Sequence, residues 1–211
     1  MGKEQKGMAV YILLDRTGSM APLWVEAVSS VNTYVKELVK EGADDRITLA
    51  VFDAYQDGMR FDILRDAVSI GEWKDIDSDE VSPRGMTPLF DAIAKLIARA
   101  EEVNNDKTAI VVMTDGYENA SREVTREAAK ATIDRIRKKN WQVNFLGANF
   151  DGFTQAEGLG VTRDQAMNFA AGRADAAMSS TAQAHMRYRN SRGVSSFLDE
   201  DRKDAGEDEV K

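Results

Sequence analysis

The run Met8-Ala9-Val10-Tyr11-Ile12-Leu13-Leu14, closed by Asp15-Arg16-Thr17-Gly18-Ser19, decides how this chain is read. An unbroken apolar run without polar alternation describes a strand buried on both faces, as in a parallel sheet covered by helices. It is too short to span a membrane and lacks the small-residue cleavage site of a signal peptide. It ends abruptly on an acid followed by two hydroxyls.

Working outward, Ile47–Phe52, Ala109–Met113 and Val143–Leu146 have the same character, and Ala166–Phe169 is a weaker example. Asp57-Gly58 is a tight-turn signal that predicts a short antiparallel edge strand near Met59–Leu64. Apolar residues at helical spacing lie between the strands: Trp24, Val28, Val31, Val35 and Leu38, then Phe90, Ile93, Ile97 and Ala100 after Pro88. Two more helices are expected over Arg122–Lys138, with Ile133 and Ile136 inward, and over Ala174–Tyr188. This alternation predicts an α/β fold: a doubly wound, Rossmann-like, mostly parallel six-stranded sheet with one antiparallel edge strand and helices on both faces.

The 211 residues suit one domain, expected over residues 8–190, after a loose leader at 1–7. Residues 191–211 are expected to form a disordered acidic tail, because residues 199–211 carry seven acids against three bases and few apolar side chains. A formal net charge of −8 argues against nucleic-acid binding, which needs clustered Lys and Arg. With no cysteine, disulfides, thiolate metal sites and cysteine nucleophiles are excluded, and the single histidine, His185, does not make a nitrogen-rich metal site. His185 shares a helical face with Ala174, Met178, Thr181 and Tyr188 and is expected to be packed. A soluble, cytoplasmic protein is expected, without membrane contact.

Three polar clusters punctuate the pattern: Asp15-Arg16-Thr17-Gly18-Ser19, Gly85-Met86-Thr87-Pro88 and Thr114-Asp115-Gly116. In a doubly wound sheet, ligands bind beyond the carboxyl ends of the strands, where the winding reverses. The proposed order brings all three clusters to that edge. They offer carboxylates and hydroxyls but neither nitrogen nor sulfur, a donor set for a hard cation. Each piece also has a local explanation: the acids as loop residues or caps, Thr87 as the N-cap before Pro88, and the glycines as turns. Their joint occurrence in this order is what points to a site.

Asp15-x-Thr17-x-Ser19, then Thr87 before Pro88-Leu89, then Asp115 in Thr-Asp-Gly, resembles the metal-ion-dependent adhesion site of the von Willebrand factor type A (VWA) family, from about Ala9 to Phe169. Thr17 stands where many members carry serine. The resemblance implies that Thr17, Ser19 and Thr87 touch a divalent cation directly, Mg²⁺ with Mn²⁺ or Ca²⁺ as alternatives. It implies that Asp15 and Asp115 act mostly through water. It further implies metal-dependent binding of a partner protein that presents Asp or Glu, or a role as adaptor of an ATPase complex, without catalysis. The compact chain also fits a phage or mobile-element protein.

Arg16, Met20, Arg84, Met86, Tyr117, Glu118 and Asn119 are expected to ring the site and contact the partner, with Arg16 and Arg84 placed to clasp a second acidic group. A metal-assisted, phosphatase-like hydrolase using the same residues is the alternative. Against it stands Thr17, where haloacid-dehalogenase-like phosphatases carry their second Asp. The tail acids offer a further expectation, a tethered competitor for the same ion.

Overall fold

The computed structural model describes residues 7–41, 44–148 and 152–210. Residues 1–6 of the expected leader lie outside them. Six strands form one sheet in the order β3-β2-β1-β4-β5-β6. They are β1 (Ala9–Asp15), β2 (Arg46–Tyr55), β3 (Gly58–Ser69), β4 (Thr108–Thr114), β5 (Gln142–Ala148) and β6 (Ala166–Phe169). All neighbours pair in parallel except β2 and β3. The expected fold class is therefore observed.

β1 lies between β2 and β4, where the winding reverses, and its alternation explains the unbroken apolar run. Val10, Ile12 and Leu14 pack into one core with α1 (Trp24–Lys40) and α5 (Ala174–Asn190). Tyr11 and Leu13 pack into a second core with α2 (Leu89–Val103) and α3 (Arg126–Arg137). Burying each such Leu or Ile contributes about 1.5–3 kcal/mol, so both faces of β1 anchor the site that follows it. A polar chain crosses the first core. Tyr34 on α1 donates to His185 Nδ1 at 2.6 Å, and His185 Nε2 donates to Asn144 Oδ1 on β5 at 2.8 Å. His185 is fully buried, as its helical face predicts.

The structure departs from the sequence expectations at element ends. β3 continues past Leu64 to Ser69, because register shifts against Ile47–Ala50 let the strand bend and keep pairing. α3 begins at Arg126 instead of Arg122. The Asp91 carboxylate accepts the backbone N–H groups of Arg122, Glu123 and Val124, and Thr125 Oγ1 caps the helix at Ala128 N. A short α4 (Gly152–Gly158) had no sequence signal.

The largest correction concerns the tail, whose residues up to Val210 are described. Phe197 and Ala205 are buried in the first core, and α6 (Asp199–Asp204) packs beside β6. Gln142 holds Ser195 through both its backbone N–H and its C=O. Asp201 pairs with Arg187, and Glu207 with Arg202. Few apolar residues are present, but they are placed where they cover the β6 edge, and the acids meet arginines there. Asp201 and Glu207 are thus engaged at the β6 edge instead of at the predicted cation site. No helix among the described residues is long and apolar enough to cross a membrane.

Candidate functional site

β1 and β4 are adjacent parallel strands, so the loops that leave them start side by side. Asp15, the last residue of β1, is fully buried. Its Oδ1 accepts Thr17 N at 2.7 Å and its Oδ2 accepts the Thr114 hydroxyl at 2.6 Å. The first bond shapes the loop so that Thr17 and Ser19 stand together, their hydroxyl oxygens 3.2 Å apart. Ser19 Oγ donates to Asp115 Oδ1 at 2.7 Å, and Thr87 Oγ1 donates to Thr17 Oγ1 at 3.3 Å. The five oxygen-bearing residues predicted from three separate loops are thus linked by short contacts. A Cβ on Gly116 would lie 3.6 Å from Ser19 Oγ and 3.9 Å from Thr87 Oγ1, so this glycine leaves the space between the loops open.

Thr87 does not serve as a helix cap. The α2 N-cap is Pro88, and the N–H groups of Phe90 and Asp91, which have no carbonyl within the helix to bond, are taken by Glu118 and Ser121. The backbone of Thr87 is clamped instead: its N–H donates to Asn119 Oδ1 at 2.8 Å, and its C=O accepts from Asn119 and Ala120. Its hydroxyl is left facing Thr17. Gly85 takes φ +71, and a Cβ there would stand 2.4 Å from Ala54 O, so glycine alone lets this loop lie against β2.

Burial raises two acids of the site, as it also raises Asp45 at the opposite end of β2. Burial pushes the Asp15 carboxyl from 3.8 up to about 6, against hydrogen bonds from Thr114 and Thr17 that favour the anion, and nearby Asp115 adds to the rise. Burial also raises Asp115, opposed by the Ser19 hydrogen bond. The other buried acids are compensated: Asp45 by Arg189, Asp53 by Arg16 and Arg84, Asp201 by Arg187, and Asp91 by three backbone N–H groups. Among the described residues Asp15 has no such cation. Among the described residues no group of three or more His, Cys, Asp or Glu side chains is placed to hold a metal. Three of the five donors here are hydroxyls, from Thr17, Ser19 and Thr87.

The expected rim is corrected at two positions. Met20 is fully buried, because the 3-10 turn at Gly18–Leu23 directs it into the first core. Arg16 is 2% exposed and folds back onto Asp53 and Asp62, so it does not face a partner. Met86 and Tyr117 are exposed, and Arg84 is half-buried against Asp53. The side chains of Glu118 and Asn119 turn inward to the α2 start and to Thr87.

Three groups around the loops had no assigned role from sequence. Thr114 orients Asp15. Gln155 on α4 accepts from Glu118 N and donates to Gly116 O, which fixes the third loop. Asp53 closes the apolar run of β2, and a lone acid at that strand end was the available signal.

No protein-family model matches the sequence, and no curated protein does. Solved structures match in shape. The pilus adhesin SpaC from Lactobacillus rhamnosus GG is 12% identical at a TM-score of 0.68, over 87% of this chain and 31% of that one. The manganese-loaded TRAP protein of Plasmodium vivax is 16% identical at 0.57, over 82% and 72%. The SpRpn10 VWA domain is 14% identical at 0.53, over 77% and 87%. The fold is shared with a VWA domain. At these identities the likeness is one of fold, and the chain spans less than two thirds of the adhesin and pilin chains it matches, such as 63% of the PilB minor pilin from Streptococcus sanguinis.

Proposed function

We propose that this chain is a metal-dependent protein-binding domain. Asp15, Thr17, Ser19, Thr87 and Asp115 hold one divalent cation, Mg²⁺ foremost, with Mn²⁺ or Ca²⁺ as substitutes. The ion supplies a positive charge with an exchangeable coordination position, and a partner's Asp or Glu carboxylate fills it. The observation that carries this reading is the linked set of oxygens Asp115–Ser19–Thr17–Thr87 beside a buried acid that has no cation among the described residues. The donor set is all oxygen, which fits a hard ion. The manganese in the similarly folded TRAP structure is in keeping with it.

Asp15 is a poor candidate for a hydrolytic nucleophile. Both its oxygens accept hydrogen bonds and it is fully buried. His185 is buried between α1, α5 and β5 and offers no general base at this edge. These positions support binding over catalysis.

The test has two stages. Mn²⁺ uptake is followed by the loss of the free-ion EPR signal, in the wild type and in Asp115→Ala. Partners are then captured in Mg²⁺ and in EDTA, with Asp115→Ala as control. Uptake and capture that both require Asp115 are the expected results. A folded wild type that takes up no Mn²⁺ at millimolar supply, or a partner retained in EDTA, would overturn the proposal.

A further inference from the structure

Behind the oxygen donors, one buried acid holds the loops that carry them. Asp53 on β2 is fully buried, one residue past Phe52, which pairs with Asp15 across the sheet. Its Oδ2 accepts from Arg84 Nε at 2.6 Å and lies 3.2 Å from Arg16 Nε. Arg16 stands between Asp15 and Thr17, and Arg84 lies in the loop that leads to Thr87. A single carboxylate therefore draws the first and second loops to the end of β2. The backbone follows the same path: Arg84 N donates to Arg16 O at 2.8 Å, Gly18 N to Gly85 O at 3.2 Å, and Ala54 and Met86 exchange hydrogen bonds at 2.9 Å.

This cluster is not the most stable way to fasten two loops. Among the described residues, Asp53 Oδ1 and Arg16 Nε are buried without a hydrogen-bond partner. Well-packed apolar residues often stabilise as well as a buried ion pair or better, so imperfectly paired charges here call for a reason other than stability. What they do supply is a fixed distance between two loops.

We infer that Asp53 is a positioning residue of the cation site, setting the approach of Thr17 and Ser19 to Thr87 through Arg16 and Arg84. This rests on the proposed cation site. Loss of groups that orient metal ligands weakens metal affinity by about 10- to 100-fold, and that is the effect expected of Asp53→Asn.

The experiment measures Mn²⁺ dissociation constants by EPR and thermal midpoints by circular dichroism on the full chain. The structure provides a matched control. Asp45 precedes the opposite end of β2, is equally buried, and binds Arg189 Nη1 and Met8 N, each at 2.7 Å. Asp45→Asn is expected to lower the thermal midpoint and leave Mn²⁺ affinity unchanged. Asp53→Asn is expected to lower both, and Asp53→Glu to recover part of the affinity. Wild-type affinity in a folded Asp53→Asn, or equal weakening in Asp45→Asn, overturns the inference and leaves the cation site standing. If Asp53→Asn does not fold, Arg84→Ala on the half-exposed arm replaces it, and unchanged affinity there overturns the inference equally. A wild type that binds no Mn²⁺ overturns the site itself.

Discussion

Acidification sets two buried groups against each other, and a cation decides the balance. Burial lowers His185 from 6.5 to about 3, so the folded protein holds it neutral. The unfolded chain takes up this proton first, and stability present above the unfolded value is lost as the pH falls towards the folded one. At about 1.4 kcal/mol per pH unit, the loss is about 2 kcal/mol near pH 5 and about 5 kcal/mol at pH 3 and below. Asp15 acts in the opposite direction. Its carboxyl is raised from 3.8 to about 6, so its contribution is fully present below 3.8 and is lost as the pH rises through about 6. By the same conversion this costs about 3 kcal/mol at neutrality. Between about pH 6 and pH 4 the two slopes nearly cancel. A saturating cation beside Asp15 keeps it ionised and removes its slope, leaving that of His185. The assay is urea unfolding from about pH 7 to about pH 4, with and without Mg²⁺, on the wild type and on His185→Gln. Mg²⁺ is expected to steepen the loss below about pH 6 by about 1.4 kcal/mol per unit, and His185→Gln to flatten the slope in Mg²⁺ and, without Mg²⁺, to reverse it so that stability rises on acidification to about pH 4. A wild-type slope in His185→Gln refutes the buried neutral histidine. A slope indifferent to Mg²⁺ refutes the coupling of Asp15 to a cation.

Thr87→Val keeps the shape of a 3% exposed side chain and removes the hydroxyl that faces Thr17. It is expected to weaken Mn²⁺ binding by at least about tenfold, read by EPR, with a stability change of about 1 kcal/mol or less because no cap is lost. Phe197→Ala removes the buried aromatic of the C-terminal segment. A loss of about 3 kcal/mol is expected in urea unfolding, with faster proteolysis confined to residues beyond 190. Uniform proteolysis along the chain would show that the segment is not a separate unit.

The layers of the fold were legible because β1, β2, β4 and β5 are buried on both faces, and that leaves an unbroken apolar run in sequence. The convergence of the loops followed from strand order, since β1 and β4 are neighbours at the reversal. What stayed hidden depends on pairing at long range. Arg16 sits in a polar loop motif and reads as exposed, yet Asp53 and Asp62 on other strands draw it inward. Met20 follows two small polar residues, and only the 3-10 turn sends it to the core. The C-terminal segment is too acidic to suggest packing until Arg187, Arg173 and Arg202 are found opposite its acids. α3 starts late because Asp91 on a different helix captures the N–H groups ahead of it.

Asp15 is a buried acid raised by burial with no cation beside it among the described residues, and that separates stability from function. At neutral pH the ionised carboxylate is held at a cost, so a neutral isostere should relieve it. In Asp15→Asn the amide oxygen still accepts Thr17 N. The Thr114 hydroxyl, now facing an N–H donor, is free to accept it and to donate to Gly116 O, 3.2 Å away. The hydrogen bonding survives while the buried charge is gone. Asp15→Asn is therefore expected to stabilise the metal-free protein at neutral pH by about 1–3 kcal/mol and to abolish measurable Mn²⁺ uptake. Asp45→Asn and Asp53→Asn should do the reverse to stability, because each takes a carboxylate away from a buried arginine. A destabilised Asp15→Asn would mean that the anion is better served by Thr17 and Thr114 than its raised pKa indicates. An Asp15→Asn that still takes up Mn²⁺ with wild-type affinity would remove this acid from the site altogether.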